Sequence, residues 1–226
     1  MTDIHTHILP GMDDGARDIK EALSLLRALH SGGTTAAALT PHFWMQRDRI
    51  DKFIVKRDKA FLRLTEAAKD IPVKLYPGAE VTFFADMLDR DLEALCIGGT
   101  NALLIELPAS HYPPSAQKVF YGLKLKGFVP IAAHIERYQY ILREPAILDD
   151  LILCGALMQI NADSLFSSGK MRKRLLGLIE SKRIHFIASD THSMKRRPPM
   201  LDRAMELVNK KLGADVSEAL NSYLEF

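Results

Sequence analysis

In the stretch Asp3-Ile4-His5-Thr6-His7 two imidazoles stand two residues apart, with Ile4 and Ile8 as apolar neighbours. Residues two apart on an extended strand project to the same side, so the rings converge on one point. Neutral imidazole is the commonest transition-metal ligand, and a pair fixed on a strand binds an ion without reorganising the backbone. Two polar strand positions give the same pattern, so the pair alone decides nothing. What decides is recurrence. Thr40-Pro41-His42, Gly78-Ala79-Glu80, Leu104-Ile105-Glu106, Ala132-Ala133-His134 and Ser189-Asp190-Thr191-His192 each set a histidine or carboxylate at the end of an apolar run. Asp190 and His192 repeat the two-apart spacing, and Asp13 and Asp14 lie in a turn bounded by Gly11 and Gly15. Carboxylates emerging from buried runs are costly unless paired or bound to metal. His30, His111 and His185 fall elsewhere and are read as structural or solvated.

His5, His7, one aspartate of the 13–14 pair, His42, Glu80, Glu106, His134, Asp190 and His192 are too many donors for one ion. At about three to four protein ligands per catalytic metal they suit two or three divalent ions. Imidazoles and carboxylates without thiolate favour Mn, Fe or Zn. Three such ions bring more positive charge than the carboxylates cancel, which draws an anionic substrate; a phosphate ester is the natural candidate. Arg137 follows the fifth apolar run and Lys195-Arg196-Arg197 follows the last. A guanidinium holds phosphate oxygens bidentately and offsets charge as an ester breaks. Arg137 and Arg197 are the candidates for that role, Arg196 being as readily a surface residue.

These groups need a scaffold that gathers strand ends. Strands are expected at 3–9, 34–41, 73–81, 102–107, 129–135, 156–161 and 184–189, and helices at 19–30, 49–69, 86–95, 115–126, 145–154, 169–182 and 199–212, with a short final helix after Gly213. Alternation of this kind implies parallel strands joined by right-handed crossovers, an α/β fold. No glycine-rich phosphate loop follows the first strand, and polar residues end nearly every strand rather than clustering at one switch point. A barrel is therefore expected over an open sheet. At 226 residues, with no linker or repeat, residues 1–226 are expected to form a single domain.

Composition excludes other classes. A net charge of +2 is too mild to imply nucleic acid. No apolar run of membrane-spanning length and no signal peptide is evident, so a cytoplasmic protein without membrane insertion is expected. Cys96 and Cys154 fit a reducing compartment and are read as buried small hydrophobes. Neither begins a C-x5-R loop, the matching positions being Ala102 and Ile160, which disfavours thiol-based phosphoester chemistry.

The motifs D-I-H-T-H-I-L-P-G-M-D-D-G (3–15), T-P-H (40–42), G-A-E (78–80), I-E-L-P (105–108), A-H-I-E-R-Y (133–138) and S-D-T-H (189–192) resemble the PHP (polymerase and histidinol phosphatase) family. More narrowly, they are similar to its manganese-dependent protein-tyrosine phosphatases encoded with bacterial capsule and exopolysaccharide genes. The resemblance implies a distorted, TIM-like (β/α)7 barrel and a trinuclear site. One metal would be held by His5, His7, Glu80 and Asp190, a second by Glu80, Glu106 and His134, a third by Asp14, His42 and His192, with Asp14 taken over Asp13. Phosphate would meet Arg137 and Arg197, and a metal-activated hydroxide would attack in line, with Asp13 or a water assisting the leaving group. Phe43, Trp44, Tyr112 and Tyr138 flank the expected mouth and could touch a phosphotyrosine ring. The implied partner is a phosphotyrosine protein, a membrane-associated bacterial tyrosine kinase of polysaccharide synthesis. The alternative is a small-molecule phosphatase such as one for histidinol phosphate. Asp163, where the family pattern more usually has a small residue, adds negative charge near the mouth; the oligomeric state is left open.

Overall fold

The computed structural model describes residues 1–224. Strands β1 (Thr2–Thr6), β2 (Ala36–Leu39), β3 (His42–Phe43), β4 (Lys74–Pro77), β5 (Glu80–Thr82), β6 (Ala102–Glu106), β7 (Val129–Ala132), β8 (Leu157–Asn161) and β9 (Phe186–Ala188) are interspersed with helices α1 (Ile19–Ser31), α2 (Ile50–Ala67), α3 (Ala116–Leu125), α4 (Gln139–Arg143), α5 (Ala146–Leu153), α6 (Gly169–Glu180), α7 (Leu201–Leu212) and α8 (Ala214–Ala219). These strands pair in parallel, in the orders β1-β2-β4 and β3-β5-β6-β7-β8-β9. The chain just past β9 returns to β1: Asp190 N–H donates to His5 O and His7 N–H to Thr191 O, both at 2.9 Å.

Side chains alternate across each strand. Leu103 and Ile105 of β6 pack with the helices in the largest apolar cluster, while Leu104 joins Ile4, Ala38, Ile131 and Ala188 in another. Residues from strands so far apart in the pairing order touch only because the sheet curls around them. The architecture is an α/β fold with a curled parallel sheet, and α1 and α2 cover Ile8, Leu9 and Leu39. No helix among the described residues is long and apolar enough to cross a membrane.

The structure departs from the sequence expectations at the first strand, which ends at Thr6 rather than residue 9 and leaves His7 just past it, and at further points along the chain. The second expected strand ends at Leu39 and a new one, β3, starts at His42 beyond its expected end, while beside it the third breaks in two at Gly78-Ala79. Pro41 has no N–H for the ladder, and a Cβ on Gly78 would lie 3.2 Å from Thr40 Cγ2. Pairing resumes where Glu80 N–H donates to Pro41 O at 3.1 Å, so β3 and β5 begin with His42 opposite Glu80. The expected strand 129–135 stops at Ala132 because His134 turns the chain with φ of +33°. Region 86–95 forms two 3-10 turns, Met87–Asp89 and Glu93–Leu95, instead of a helix. Arg90 is extended there, and Asp91 accepts the Glu93 N–H at 3.3 Å, a side-chain bond that competes with a continuous helix. Finally, α4 was not expected; five residues carry too little periodicity to be read.

The opposite end of the sheet is tied by Asn221. Its Oδ1 accepts from Ile187 N–H at 2.9 Å, and its Nδ2 donates to Ile187 O at 2.9 Å and Thr2 O at 3.1 Å, linking β9 to β1. Asn221→Ala should remove about 2 kcal/mol, a fall of about 4–8 °C in melting temperature. Calorimetry giving an unchanged midpoint would show that the clamp contributes nothing.

Candidate metal centre

Glu80 begins β5 with its side chain 1% exposed and imidazoles on every side. Its Oε1 lies 2.7 Å from His134 Nε2; its Oε2 lies 2.9 Å from His42 Nδ1, 3.3 Å from His7 Nε2 and 3.4 Å from His5 Nε2. Three sets of residues each bring their donor atoms within 4.8 Å of one another: His7, Asp14, His42 and His192; His5, His7 and Asp190; His42, Glu80 and Glu106. His134 joins them through Glu80 and lies 3.7 Å from Glu106 Oε1. All nine expected donors thus meet in one place. The first set overlaps each of the other two. His7 and His42 each stand between two sets, because neighbouring donors lie within contact distance of both.

Each element delivers its group by a local device. His134 and Asp190 have φ of +33° and +49°, left-handed conformations that non-glycine residues rarely adopt and that gather at functional sites. The turn after β1 brings Asp13 back to His7: Asp13 Oδ2 accepts from His7 Nδ1 at 2.7 Å and His42 N–H at 3.0 Å, and Oδ1 accepts from Gly15 N–H at 3.0 Å. A Cβ on Gly15 would fall 1.9 Å from His7 O, so this turn requires glycine.

Ring orientation is fixed from outside. His5 Nδ1 faces Gln159 Oε1 at 3.2 Å, His7 Nδ1 faces Asp13, His192 Nδ1 faces Asp190 O at 2.8 Å, and His134 Nδ1 faces the Tyr138 hydroxyl at 3.3 Å. With a proton on each Nδ1, the Nε2 lone pairs point inward, the usual arrangement of a metal-binding histidine and its outer partner. His42 alone of these rings has no outer hydrogen bond among the described residues; it stacks on Trp44 at 4.8 Å. Gln159 also accepts from His134 N–H at 2.8 Å and donates to Asn161 Oδ1 at 2.8 Å, while Asn161 Nδ2 donates to Asp190 Oδ2 at 2.7 Å. One strand, β8, therefore sets three of the inward-facing groups. Gln159 and Asn161 were missed in the sequence, although polar residues two apart in an apolar strand are the same signal that marked His5 and His7.

The donor set fits divalent cations. Glu80 Oε2, His42 Nδ1 and His192 Nε2 are buried without a hydrogen-bond partner, the first two lying 2.9 Å apart but misaligned for one. A buried polar atom left so costs about 1–3 kcal/mol, which a bound cation relieves. Charge points the same way. Burial opposes ionisation, yet Asp13 and Glu80 push His7 up to about 10, and Glu80 and Asp190 hold His5 above its ordinary value. Glu80 stays well below the carboxylate range despite its burial, held by His5, His134 and His42. Burial and the charge of His7 bring His192 down to about 3, leaving a neutral ring. The acids demand positive charge where the lone pairs converge.

At the rim, Arg137 Nη2 donates to Asp190 Oδ2 at 2.7 Å, Arg197 Nη1 lies 3.5 Å from the same oxygen, and Arg197 Nη2 donates to Asp14 Oδ2 at 2.9 Å. Burial opposes the charge on Arg137, and Asp190, Glu136 and then Asp163 favour it. Two expectations need correction. Asp13 is poorly placed to donate a proton, since both its oxygens are engaged and His7 holds its carboxyl down at about 2 against the effect of burial. Phe43 and Tyr138 are buried, the first packed on Phe53 and the second on Tyr140, which leaves Trp44 and Tyr112 as partly exposed rings. Cys96 is buried with its thiol raised to about 12 by burial, whereas Cys154 is only partly covered.

The sequence pattern of the capsular polysaccharide synthesis family CpsB/CapC matches residues 1–223. The tyrosine-protein phosphatase YwqE of Bacillus subtilis (strain 168) is 35% identical, over 100% of this chain and 90% of its own. Tyrosine-protein phosphatase CpsB of Streptococcus pneumoniae is 30% identical, over 97% of this chain and 94% of its own. Among solved structures, one from a crystallographic study of YwqE from Bacillus subtilis and CpsB from Streptococcus pneumoniae, described as unique metal-dependent tyrosine phosphatases, superposes with a TM-score of 0.86 at 33% identity, covering 96% of this chain and 90% of that one. The hisK protein of Listeria monocytogenes, at 12% identity and a TM-score of 0.56, shares the fold.

Gln159→Leu keeps the volume of the side chain but leaves His5 Nδ1 and His134 N–H without their acceptor. Loss of such an outer partner should weaken divalent-cation binding by about 10–100-fold. Calorimetric titration of the variant with manganese reads this directly, and wild-type affinity would remove Gln159 from the site.

Proposed function

The chain belongs to the capsular polysaccharide synthesis family CpsB/CapC and is a metal-dependent tyrosine phosphatase; we propose that it acts in the cytoplasm on phosphotyrosine of a membrane-associated bacterial tyrosine kinase of polysaccharide synthesis. It works with two or three divalent cations, manganese by preference. In this reading the curled sheet is a distorted (β/α)7 barrel of the PHP type, and residues 1–226 make one phosphatase domain. What supports the reading most is the meeting of eight donor residues and two arginines around the buried Glu80.

His5, His7, Glu80 and Asp190 would hold one cation, Glu80, Glu106 and His134 a second, and Asp14, His42 and His192 a third. Bound there, divalent cations lower the pKa of water toward neutrality and offset phosphoryl charge. The protein supplies the rest. Arg137 and Arg197 are partly exposed, and each guanidinium has more N–H donors than its carboxylate contacts use. Those donors bind the phosphoryl oxygens and steady the charge that builds as the ester breaks. Asp13 orients His7 and His42 and does not act as the acid. Little acid is needed, because a tyrosine phenolate, with a parent pKa near 10, leaves more readily than an alkoxide.

Chelation should abolish hydrolysis of a phosphotyrosine peptide and added manganese should restore it, with two or three metals per chain by elemental analysis. His134→Ala should lose metal and activity together. Arg197→Ala should keep its metal and slow turnover by about 10²–10³-fold, the scale of deleting one transition-state charge donor. Full activity in His134→Ala would sink the metal assignment. Rapid turnover of histidinol phosphate with an untouched phosphopeptide would favour the small-molecule enzyme.

A further inference from the structure

On the outer side of His42 a cavity of about 360 Å³ lies between the loop after β3 and the first turns of α2. His42 is the wall it shares with the metal centre. Trp44 stacks on His42 at 4.8 Å, and the Arg47 guanidinium lies over the Trp44 ring at 5.3 Å, so a continuous stack leads from the cage into the cavity.

Its lining is cationic and uncompensated. Among the described residues no carboxylate lies within ion-pair distance of Arg47, Lys52 or Lys56; Lys56 Nζ donates only to the Met12 carbonyl, at 3.3 Å. By contrast Arg49, at the edge of this same cavity, is held by Asp51 at 3.0 Å, as Arg183 is by Asp149 at 3.0 Å and Arg17 by Glu21. Lys52 and Lys56 stand one helical turn apart on the same face of α2, where like charges repel. Lys52 also lies in the first turn, where the helix dipole disfavours a cation. Asp48, the one acid of the lining, accepts the Trp44 N–H at 3.3 Å. The cavity on the other flank of the cage mixes Asp14 and Glu21 with its basic groups. Of the two flanking cavities, the one on the His42 side gathers unpaired positive charge beside an aromatic ring, and an anion relieves the repulsion.

We infer that this cavity is a subsite for a second anionic side chain of the peptide substrate, a carboxylate or another phosphotyrosine, held beside the phosphotyrosine being hydrolysed. The inference rests on the tyrosine phosphatase reading.

The test compares kcat/KM of the manganese-loaded enzyme on three phosphotyrosine peptides of one sequence, carrying alanine, glutamate or a second phosphotyrosine at flanking positions scanned on either side. The anionic peptides should be preferred by about tenfold, the scale of one charge-assisted contact. The preference should lie mainly in KM and shrink as salt approaches 1 M. Lys52→Glu should bring the ratio of anionic to neutral peptide to one or below, while the charge-matched Lys173→Glu, exposed on α6, should leave it intact. A preference for the second phosphotyrosine alone identifies a phosphate site; a preference shared with glutamate identifies a general anion site. Hydrolysis of the neutral peptide with no preference, or a preference that survives Lys52→Glu, overturns the subsite and leaves the phosphatase reading standing. No hydrolysis of any of the three overturns both.

Discussion

A carboxylate as deeply buried as Glu80 must be met by positive charge or give up its own. The fold is arranged around that demand. Four histidines present ring nitrogens to its two oxygens, and they come from β1 and the residues just after it, from β3 and from the end of β7. No single segment could supply them, since side chains along one strand diverge to two faces. The interruptions after β2 and β4 make sense in the same terms. By interrupting both ladders at one level, Pro41 and Gly78 let the sheet restart with His42 and Glu80 opposite each other.

Around the inward groups lies a second ring that determines which nitrogen each histidine offers. It is built from unlike parts: a carboxylate for His7, an amide for His5, a phenol for His134 and a backbone carbonyl for His192. The β8 amides carry the arrangement furthest, because the Gln159 side chain accepts from two histidine residues and donates to Asn161, which holds Asp190. Asp190 Oδ2 is thereby shared between Asn161 and Arg137, and its Oδ1 is left facing His5 and His7. Second-ring contacts of this kind confer precision, and the same precision explains why two of the inward residues tolerate left-handed backbone.

The sequence made the convergence legible because the chemistry-bearing types, His, Asp and Glu, recur at the ends of apolar runs, and alternation of strand and helix implies one mouth for them all. It was silent where the determining feature is local competition or a partner far away in the chain. Asp91 capping Glu93 N–H broke an expected helix over a span too short for hydrophobic periodicity to arbitrate. Asp13 and Asp14 are adjacent acids that sequence cannot rank; in three dimensions Asp13 backs His7 from outside the cage, while Asp14 turns Oδ1 toward His42 and His192 and Oδ2 toward Arg197. In sequence Tyr138 flanks the expected mouth, yet its hydroxyl accepts Leu107 N–H at 2.9 Å in the interior. Position along a motif gives a residue's neighbourhood, not its direction.

The contacts between β1 and the chain just past β9 carry a kinetic meaning. Asp3 accepts Ser189 N–H at 3.0 Å across 186 residues, and His5 and His7 meet Asp190 and His192 over nearly the same span. Contacts of such high sequence separation form late, and during synthesis they wait for the C-terminal part of the chain to leave the ribosome. A nascent chain that folds its sheet before this segment emerges lacks Asp190 and His192, one donor from each of two sets. Catalytic competence therefore waits for the segment that carries Asp190 and His192, and a chain interrupted before it lacks donors that the cage requires.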